Sequence, residues 1–156
     1  MTTEATPGTP TAPTDRRPIG RTAAWLAKQV ELGLGAVDLS LPQYRMLGLL
    51  DEHSAVSSDL AERLAVRPPT VTAVVDGLVA RGLVGRHPVA GDRRRVDHRL
   101  TPEGLAVLGA ADAAVEARLH VVTDAMADPA ATADAFAGLA QWRRAFVAYS
   151  RARWGR

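Results

Sequence analysis

Residues 56–101 constrain the fold of this chain more than any other part of its sequence. They read VSSDLAERLAVRPPTVTAVVDGLVARGLVGRHPVAGDRRRVDHRLT, and apolar residues recur there twice at three- and four-residue steps before a basic run begins. This spacing predicts two short helices, over 57–64 and 68–81. Only three residues separate them, and the second begins at Pro68, a residue typical of a first helical turn. The segment therefore predicts a helix-turn-helix pair.

The second helix is followed by a predicted β-hairpin. Gly82 is typical of the position after a helix end. Residues 83–86 and 96–100 predict two short strands, and residues 87–95, which contain a proline and a glycine, predict the loop between them. A helix-turn-helix with a hairpin directly behind it is the order of a winged helix-turn-helix.

The remaining sequence predicts helices on both sides of this segment. One amphipathic helix spans about 18–33, and another opens at Ser40, which with Pro42 and Gln43 forms a capping pattern. A long helix begins at Pro102, and its apolar seam is interrupted only by one aspartate. The seam comprises Leu105, Leu108, Asp112, Val115, Leu119, Val122 and Met126. After the break at Asp128-Pro129, a final helix is predicted over about 131–151, so the fold class is mainly α with a small β-hairpin wing.

These patterns divide the chain into three kinds of segment. Residues 1–16 consist largely of Thr, Pro and Ala, with one Gly, and predict a disordered tail. Residues 39–101 form the predicted winged helix-turn-helix domain. Residues 17–38 and 102–156 form a helical region that is too apolar for so small a domain to cover, which favours a homodimer. A self-contained helical bundle is the alternative.

Composition narrows the classes of function. The 156 residues contain 19 Lys+Arg and 17 Asp+Glu, so the net charge is only +2 and the basic cluster is local. The chain has no cysteine, which excludes disulfides, thiolate metal sites and thiol-based redox sensing. It shows no signal-peptide core and no apolar run long enough to span a membrane, so we expect a soluble cytoplasmic protein.

The start of the second helix has the residues of a DNA-reading surface. A major groove admits one helix, and side chains near the N-terminus of that helix reach base edges. The residues placed there are Arg67, Pro68, Pro69, Thr70, Thr72 and Ala73. Small side chains let the helix approach the bases, and threonine methyl and hydroxyl groups can contact bases or phosphates. An ordinary core helix with an outward polar face is the alternative.

The hairpin supplies the second part of this predicted surface. Its arginines are Arg86, Arg93, Arg94, Arg95 and Arg99, opposed mainly by Asp92 and Asp97. Arginine fits a narrow, strongly negative minor groove and also binds phosphates. We expect Asp92 to order the loop by pairing with Arg94, because a free carboxylate would be repelled by DNA. A solvated charged hairpin is the alternative.

Residues 39–104 resemble the winged helix-turn-helix core of MarR-family transcription regulators. The matching segments are LSLPQYRML, SSDLAERLAV, PPTVTAVVDGLVARGLVGR and DRRRVDHRLTPEG. The resemblance implies a homodimer, most often a repressor, on a palindromic operator, with a small anionic or aromatic ligand that relieves repression. It also implies that Thr70 and Thr72 meet bases, that Arg94 is the wing arginine and that Asp92 is its partner.

One departure from the family concerns the start of the second helix. Many members place Ser or Thr where this chain has Arg67, which cannot accept a backbone N–H bond. Our hypothesis is that Arg67 contacts a phosphate instead. By analogy with the family's ligand pocket, Trp25 and Tyr44 are candidate ligand-binding residues, although aromatic residues at helical spacing more often belong to a core.

Other classes of function fit the sequence less well. It contains no Gly-rich phosphate loop and no nucleophile elbow, so we predict neither an enzyme nor a bound cofactor. Glu116 and His120 lie one helical turn apart and could ligate a metal in a metal-responsive regulator, but such a pair is usually solvated, and we predict no metal site. A winged helix that binds another protein instead of DNA is the remaining alternative.

Overall fold

The computed structural model describes residues 18–52, 54–89 and 92–154, so the tail predicted at residues 1–16 lies outside the described residues. The elements are α1 (Ile19–Leu34), a short 3-10 turn (Gly35–Val37), α2 (Leu41–Glu52), β1 (Ala55–Val56), α3 (Ser57–Leu64), α4 (Pro68–Ala80), β2 (Val84–Val89), β3 (Asp92–Leu100), α5 (Pro102–Thr123) and α6 (Pro129–Trp154). The predicted mainly helical fold with a small β-hairpin wing is confirmed. None of the described helices is long and apolar enough to cross a membrane.

The three strands form one antiparallel sheet in the order β1-β3-β2. Strand β1 was not predicted from the sequence. It pairs Ala55 with His98 and Val56 with Asp97 on β3, and Nδ1 of the buried His98 donates a hydrogen bond of 3.1 Å to the carbonyl oxygen of Ala55. A two-residue strand is too short to show an alternating pattern, which explains why the sequence did not predict it.

The hairpin differs from its predicted form. The loop expected at 87–95 is wrong, because β2 continues to Val89 and β3 begins at Asp92. The pairing steps from Pro88–Val96 directly to Val89–Asp92. Residues 93–95 therefore form a bulge near the tip of the wing. Backbone hydrogen bonds can extend a hairpin through a charged run that carries no apolar alternation.

The core lies where the helix-turn-helix packs against α1, α2 and α5. Its fully buried side chains come from α1 to α4 and are Leu34, Met46, Leu47, Leu60, Val71, Val75 and Leu78. Leu108, Ala111 and Val115 of α5 close this cluster. Each large apolar side chain buried here stabilises the fold by roughly 1.5–3 kcal/mol. This core holds α4 in place and leaves its opposite face open.

Local hydrogen bonds position the helix ends. Ser40 and Gln43 form the predicted capping box, since the Ser40 amide donates to Gln43 Oε1 at 2.9 Å and the Gln43 amide donates to Ser40 Oγ at 3.4 Å. At the base of the wing, Thr101 caps α5 by accepting from the Gly104 amide at 2.9 Å, and its hydroxyl donates to the Gly82 carbonyl at 2.8 Å. The wing and α5 are thereby joined.

The apolar seam predicted on the long helix that begins at Pro102 is covered unevenly along its length. Leu108 and Val115 are buried and Leu119 packs on the same core, whereas Leu105 and Val122 are exposed. Helix α5 ends at Thr123, so the seam's last residue, Met126, lies beyond it. The seam residues from Leu105 to Val122 therefore share one side of α5, and the middle of that side packs inside its own subunit.

Candidate nucleic-acid interface

The N-terminus of α4 is built without a side-chain cap. Arg67 occupies the cap position in an extended conformation and forms no side-chain cap bond. Pro68 and Pro69 follow and have no N–H to satisfy, and the amides of Thr70 and Val71 both donate to the Arg67 carbonyl, at 2.9 and 3.3 Å. Of the two amides that a cap would serve, Pro69 lacks one and the other, that of Thr70, is satisfied by the Arg67 carbonyl, which explains how Arg67 can replace a capping residue.

Helix α4 has one packed face and one open face. Val71, Val75 and Leu78 are buried in the core. All the predicted base-reading candidates are exposed. They are Arg67, Pro68, Pro69, Thr70, Thr72 and Ala73. The structure therefore brings these residues together at one end of one helix, with only short side chains beyond Arg67.

The two threonines are not equivalent. The Thr72 hydroxyl donates to the Pro68 carbonyl one turn earlier, at 3.2 Å. Its proton is therefore used within the helix, and the Thr72 methyl group and one hydroxyl lone pair are what remains for a ligand. Thr70 lies in the first turn of the helix, directly after the two prolines, and is exposed.

The wing places the basic run on the bulge in β3. The backbone of Asp92, Arg93 and Arg94 begins this strand, and the Arg95 side chain is exposed. The side chains of residues 92–94 lie outside the described part of the chain. The pairing of Asp92 with Arg94 therefore stays a prediction, as does a role for Arg93.

Two arginines of the hairpin are engaged within the protein. Arg99 Nε donates to Asp97 Oδ2 at 2.9 Å. Desolvation raises the pKa of Asp97, but hydrogen bonds from Arg99 and Ser54 and the positive charge of Arg99 outweigh it, so this pKa lies below its ordinary value. Arg86 Nη2 donates to Oδ1 of Asp76 on α4. The arginines available to a ligand are thus fewer than the sequence suggested.

Asp76 is a residue of this surface that sequence reasoning missed. It is exposed on α4 and meets the wing through Arg86. A signal for it was present, because Asp76 is the only charged residue in the segment PPTVTAVVDGLVA. What the sequence did not indicate was the partner ten residues later, on a different element.

The candidate ligand-binding aromatics are not brought together. Trp25 is exposed on α1, while Tyr44 is half-buried and donates a hydrogen bond to Asp112. Neither residue lines the cleft of about 440 Å³ between α6 and the α2–α3 pair. That cleft is lined by Arg45, Gly48, Leu49, Glu52, Arg63, Leu64, Leu139, Trp142, Arg143, Phe146, Val147 and Ser150.

In the Glu116–His120 pair, His120 contacts other side chains of the same subunit. His120 Nε2 lies 3.9 Å from Glu116 Oε1, and its ring contacts the Phe136 ring with centroids 4.5 Å apart. Within residues 18–52, 54–89 and 92–154, no cluster of three or more His, Cys, Asp or Glu side chains could hold a metal ion.

Comparison with known proteins identifies relatives of the helix-turn-helix region. The MarR family model matches residues 37–95. The HTH-type transcriptional repressor MdtR of Bacillus subtilis (strain 168) is 38% identical over 63 residues, which cover 40% of this chain and 41% of that protein. The repressor YetL of the same organism is 36% identical over 73 residues, covering 45% and 44%. The chain therefore spans less than half the length of these relatives, both of which are named as transcriptional repressors.

Solved structures resemble a larger share of the chain. A mutant MarR from E. coli has a TM-score of 0.67 at 25% identity, covering 80% of this chain and 97% of that one. The transcriptional repressor CouR, bound to a 23-mer DNA duplex, has a TM-score of 0.65 at 25% identity, covering 81% and 89%. The likeness extends beyond the helix-turn-helix to the flanking helices.

Proposed function

We propose that this chain is a winged helix-turn-helix regulator of the MarR family, which binds double-stranded DNA in a sequence-specific manner and regulates transcription. One observation carries the proposal. The open face of α4 carries mainly small side chains, and Asp76 on this helix pairs with Arg86 of a wing whose bulge carries three consecutive arginines. CouR, which has a similar fold and is bound to a 23-mer DNA duplex in its solved structure, supports DNA binding by this chain.

The geometry suits a helix in one groove and a loop in the next. Helix α4 would enter the major groove, where Pro69, Thr70, Thr72 and Ala73 face the bases. Residues 93–95 would reach the adjacent minor groove or its phosphates. Arg67, at the positive end of α4, would bind a phosphate. Because the target is chromosomal DNA, we place the protein in the cytoplasm.

We propose that the regulator is a homodimeric repressor on a palindromic operator. The support is the distribution of exposed large apolar side chains among the described residues. Of these exposed side chains, only Val96 lies in the winged helix-turn-helix. The others are Ile19, Trp25, Leu32, Leu105, Val121, Val122, Met126, Leu139, Trp142, Phe146 and Tyr149, all in α1, α5, α6 or the connection between the last two. Large exposed apolar surface outside the DNA-facing domain is typical of a subunit interface.

Sedimentation of one α1 variant tests the dimer. Trp25 is 61% exposed, so Trp25→Glu should leave the subunit folded and convert the dimer to a monomer. Ala27→Glu, also exposed on α1 but on the other side of the helix, is the matched control and should remain a dimer. An intact dimer with Trp25→Glu would remove α1 from the interface.

We further propose that a small aromatic or anionic ligand releases the DNA. The cleft between α6 and the α2–α3 pair supports this, since its lining combines the basic residues Arg45, Arg63 and Arg143 with the aromatic residues Trp142 and Phe146. Its volume of about 440 Å³ is in the range of small-molecule sites. Benzoate is a suitable probe. It should dissociate the protein–DNA complex, and Arg143→Gln should raise the concentration required, whereas no release by benzoate would contradict the proposal.

Selection of bound duplexes from a random pool tests the function directly. The full chain should enrich a palindromic sequence whose half-sites are separated by about one helical turn, roughly 34–36 Å. A chain that binds no duplex with salt-sensitive affinity would contradict the proposal and favour a winged helix that binds another protein. Enrichment of a non-palindromic site would leave DNA binding intact and contradict the symmetric dimer.

A further inference from the structure

Asp76 lies on the face of α4 that is offered to DNA. Pro69, Ala73 and Asp76 follow one another at four- and three-residue steps, which places them on one side of the helix. All three are exposed, and the opposite side, with Val71 and Val75, is buried. Among the residues of α4 itself, which begins after the cap residue Arg67, the open face thus carries one charge, and that charge has the same sign as the phosphates of DNA.

Arg86 meets this carboxylate from the wing. It lies on β2 directly opposite the buried His98 of β3, so it occupies the face of the sheet that packs on the helices. From there Arg86 Nη2 donates to Asp76 Oδ1, and both side chains are about half exposed, at 46% and 54%. The pair cancels the negative charge on the reading face and joins α4 to the strand that leads to the wing tip.

We propose that Asp76 is a positioning residue of the DNA interface, which holds the wing at a fixed distance from α4 through Arg86. The inference rests on the proposed DNA binding. A half-exposed ion pair contributes little to stability, so its main consequence is geometric. The reading helix and the bulge of residues 93–95 must enter adjacent grooves together, and the Asp76–Arg86 bond fixes the angle between their two elements.

Charge and position predict opposite effects when the carboxylate is removed. If Asp76 acted only as a negative charge near DNA, Asp76→Ala would tighten binding to every duplex alike. If it positions the wing, the same variant binds the selected duplex more weakly, because the wing no longer arrives in register. Binding to a random duplex, which depends on phosphates alone, should not fall.

The experiment measures affinity for the selected duplex and for a random duplex of the same length, by fluorescence anisotropy at one salt concentration. The proteins are the full chain, Asp76→Ala, Arg86→Ala, the double variant and Asp76→Glu. Glu62→Ala, which removes an exposed carboxylate from α3, is the control for charge. Thermal unfolding of each variant checks that the fold is retained.

We expect Asp76→Ala to lower the ratio of specific to random affinity on the order of tenfold, with an almost unchanged Tm. Arg86→Ala should lower this ratio similarly, and the ratio of the double variant should not fall below the lower of the two single-variant ratios. Asp76→Glu, which keeps the carboxylate, should have a ratio close to that of the unaltered chain. Glu62→Ala should leave the ratio unchanged.

Three results would overturn the inference. These are an equal gain in affinity for both duplexes with Asp76→Ala, additive losses in the double variant, or a ratio that does not change. The proposed function fails in a different way, since then the unaltered chain would show no preference for any selected duplex. The two failures are therefore distinguishable in the same titration.

Discussion

The Tyr44 hydroxyl of α2 donates a 2.5 Å hydrogen bond to Oδ1 of Asp112 on α5, 68 residues later in the chain. Asp112 is the residue that interrupts the apolar pattern of α5, and Tyr44 is the aromatic that the sequence offered as a ligand-binding candidate. The bond gives both a structural role, because it joins the helix-turn-helix domain to the long C-terminal helix. Asp112 therefore interrupts the apolar seam because it accepts the hydrogen bond from Tyr44.

This bond predicts a loss of stability in alkaline solution. Burial, the hydrogen bond to Asp112 and the negative charge of that carboxylate raise the pKa of Tyr44 above its ordinary value. In the unfolded chain a tyrosine loses its proton at about pH 10, whereas Tyr44 in the folded chain keeps its proton at that pH. Above that pH the unfolded state binds fewer protons than the folded state, so the free energy of unfolding falls as the pH rises.

Urea denaturation at about pH 9 and about pH 11 checks this. Tyr44→Phe should be less stable than the unaltered chain at the lower pH, by about 1 kcal/mol, because the Asp112 carboxylate loses its donor. Its further loss between the two pH values should be smaller than that of the unaltered chain. Equal losses would mean that Tyr44 does not resist ionisation.

Two glycines of α5 should respond oppositely to alanine. A Cβ at Gly104 would overlap the Leu83 carbonyl oxygen, so Gly104→Ala should destabilise the fold by roughly 3 kcal/mol and separate the wing base from α5. A Cβ at Gly109 would meet no atom within 4 Å. Gly109→Ala should therefore stabilise the helix, by up to about 1 kcal/mol. Calorimetry of both variants decides the matter, and similar Tm values would contradict the close packing at Gly104.

The two threonines of α4 are expected to set sequence preference. Thr70→Ala or Thr72→Ala should change which base pairs are preferred, on the order of 1–3 kcal/mol per affected base pair. The Thr72 hydroxyl is used within the helix, so Thr72→Val, which keeps a methyl group, should retain the original preference. Binding to a panel of single-substitution duplexes measures this. A uniform loss over the whole panel would argue against base reading.

Arg94 is expected to contribute a phosphate contact from the wing. Arg94→Ala should weaken binding and reduce the slope of log affinity against log salt by about one unit, with the fold intact. Arg144→Ala, which removes an exposed arginine from α6, is the matched control and should leave the slope unchanged. An unaltered slope with Arg94→Ala would remove Arg94 from the interface.

Local signals predicted the helix-turn-helix well. Helix α3 has the predicted bounds, and α4 ends one residue before its predicted end. Apolar periodicity, the Pro68–Pro69 start and the Gly82 end act within a few residues, and Gly82 has the positive φ of 72° that such an end requires. The sequence therefore contained enough information to place the candidate base-reading residues on one open face.

The features that were missed depend on elements that are distant in the sequence. Strand β1 exists because Ala55 meets His98 on β3, and the Asp76–Arg86 pair requires the sheet to pack against α4. The direction in which α5 faces follows from its packing on α1, where a Cβ at Gly33 would lie 2.9 Å from Val115 Cα. None of these relationships leaves a periodic pattern in the sequence.

Salt titration of DNA binding tests the central claim most directly. The full chain and its selected duplex are mixed at NaCl concentrations from about 50 to about 200 mM, and the affinity is measured by fluorescence anisotropy. For a dimer with two α4–wing units, the logarithm of the affinity should fall linearly with the logarithm of the salt concentration. The total loss over this range should be roughly 10³- to 10⁵-fold. Affinity that does not depend on salt, or no binding to any duplex, would contradict a DNA-binding function for α4 and the wing.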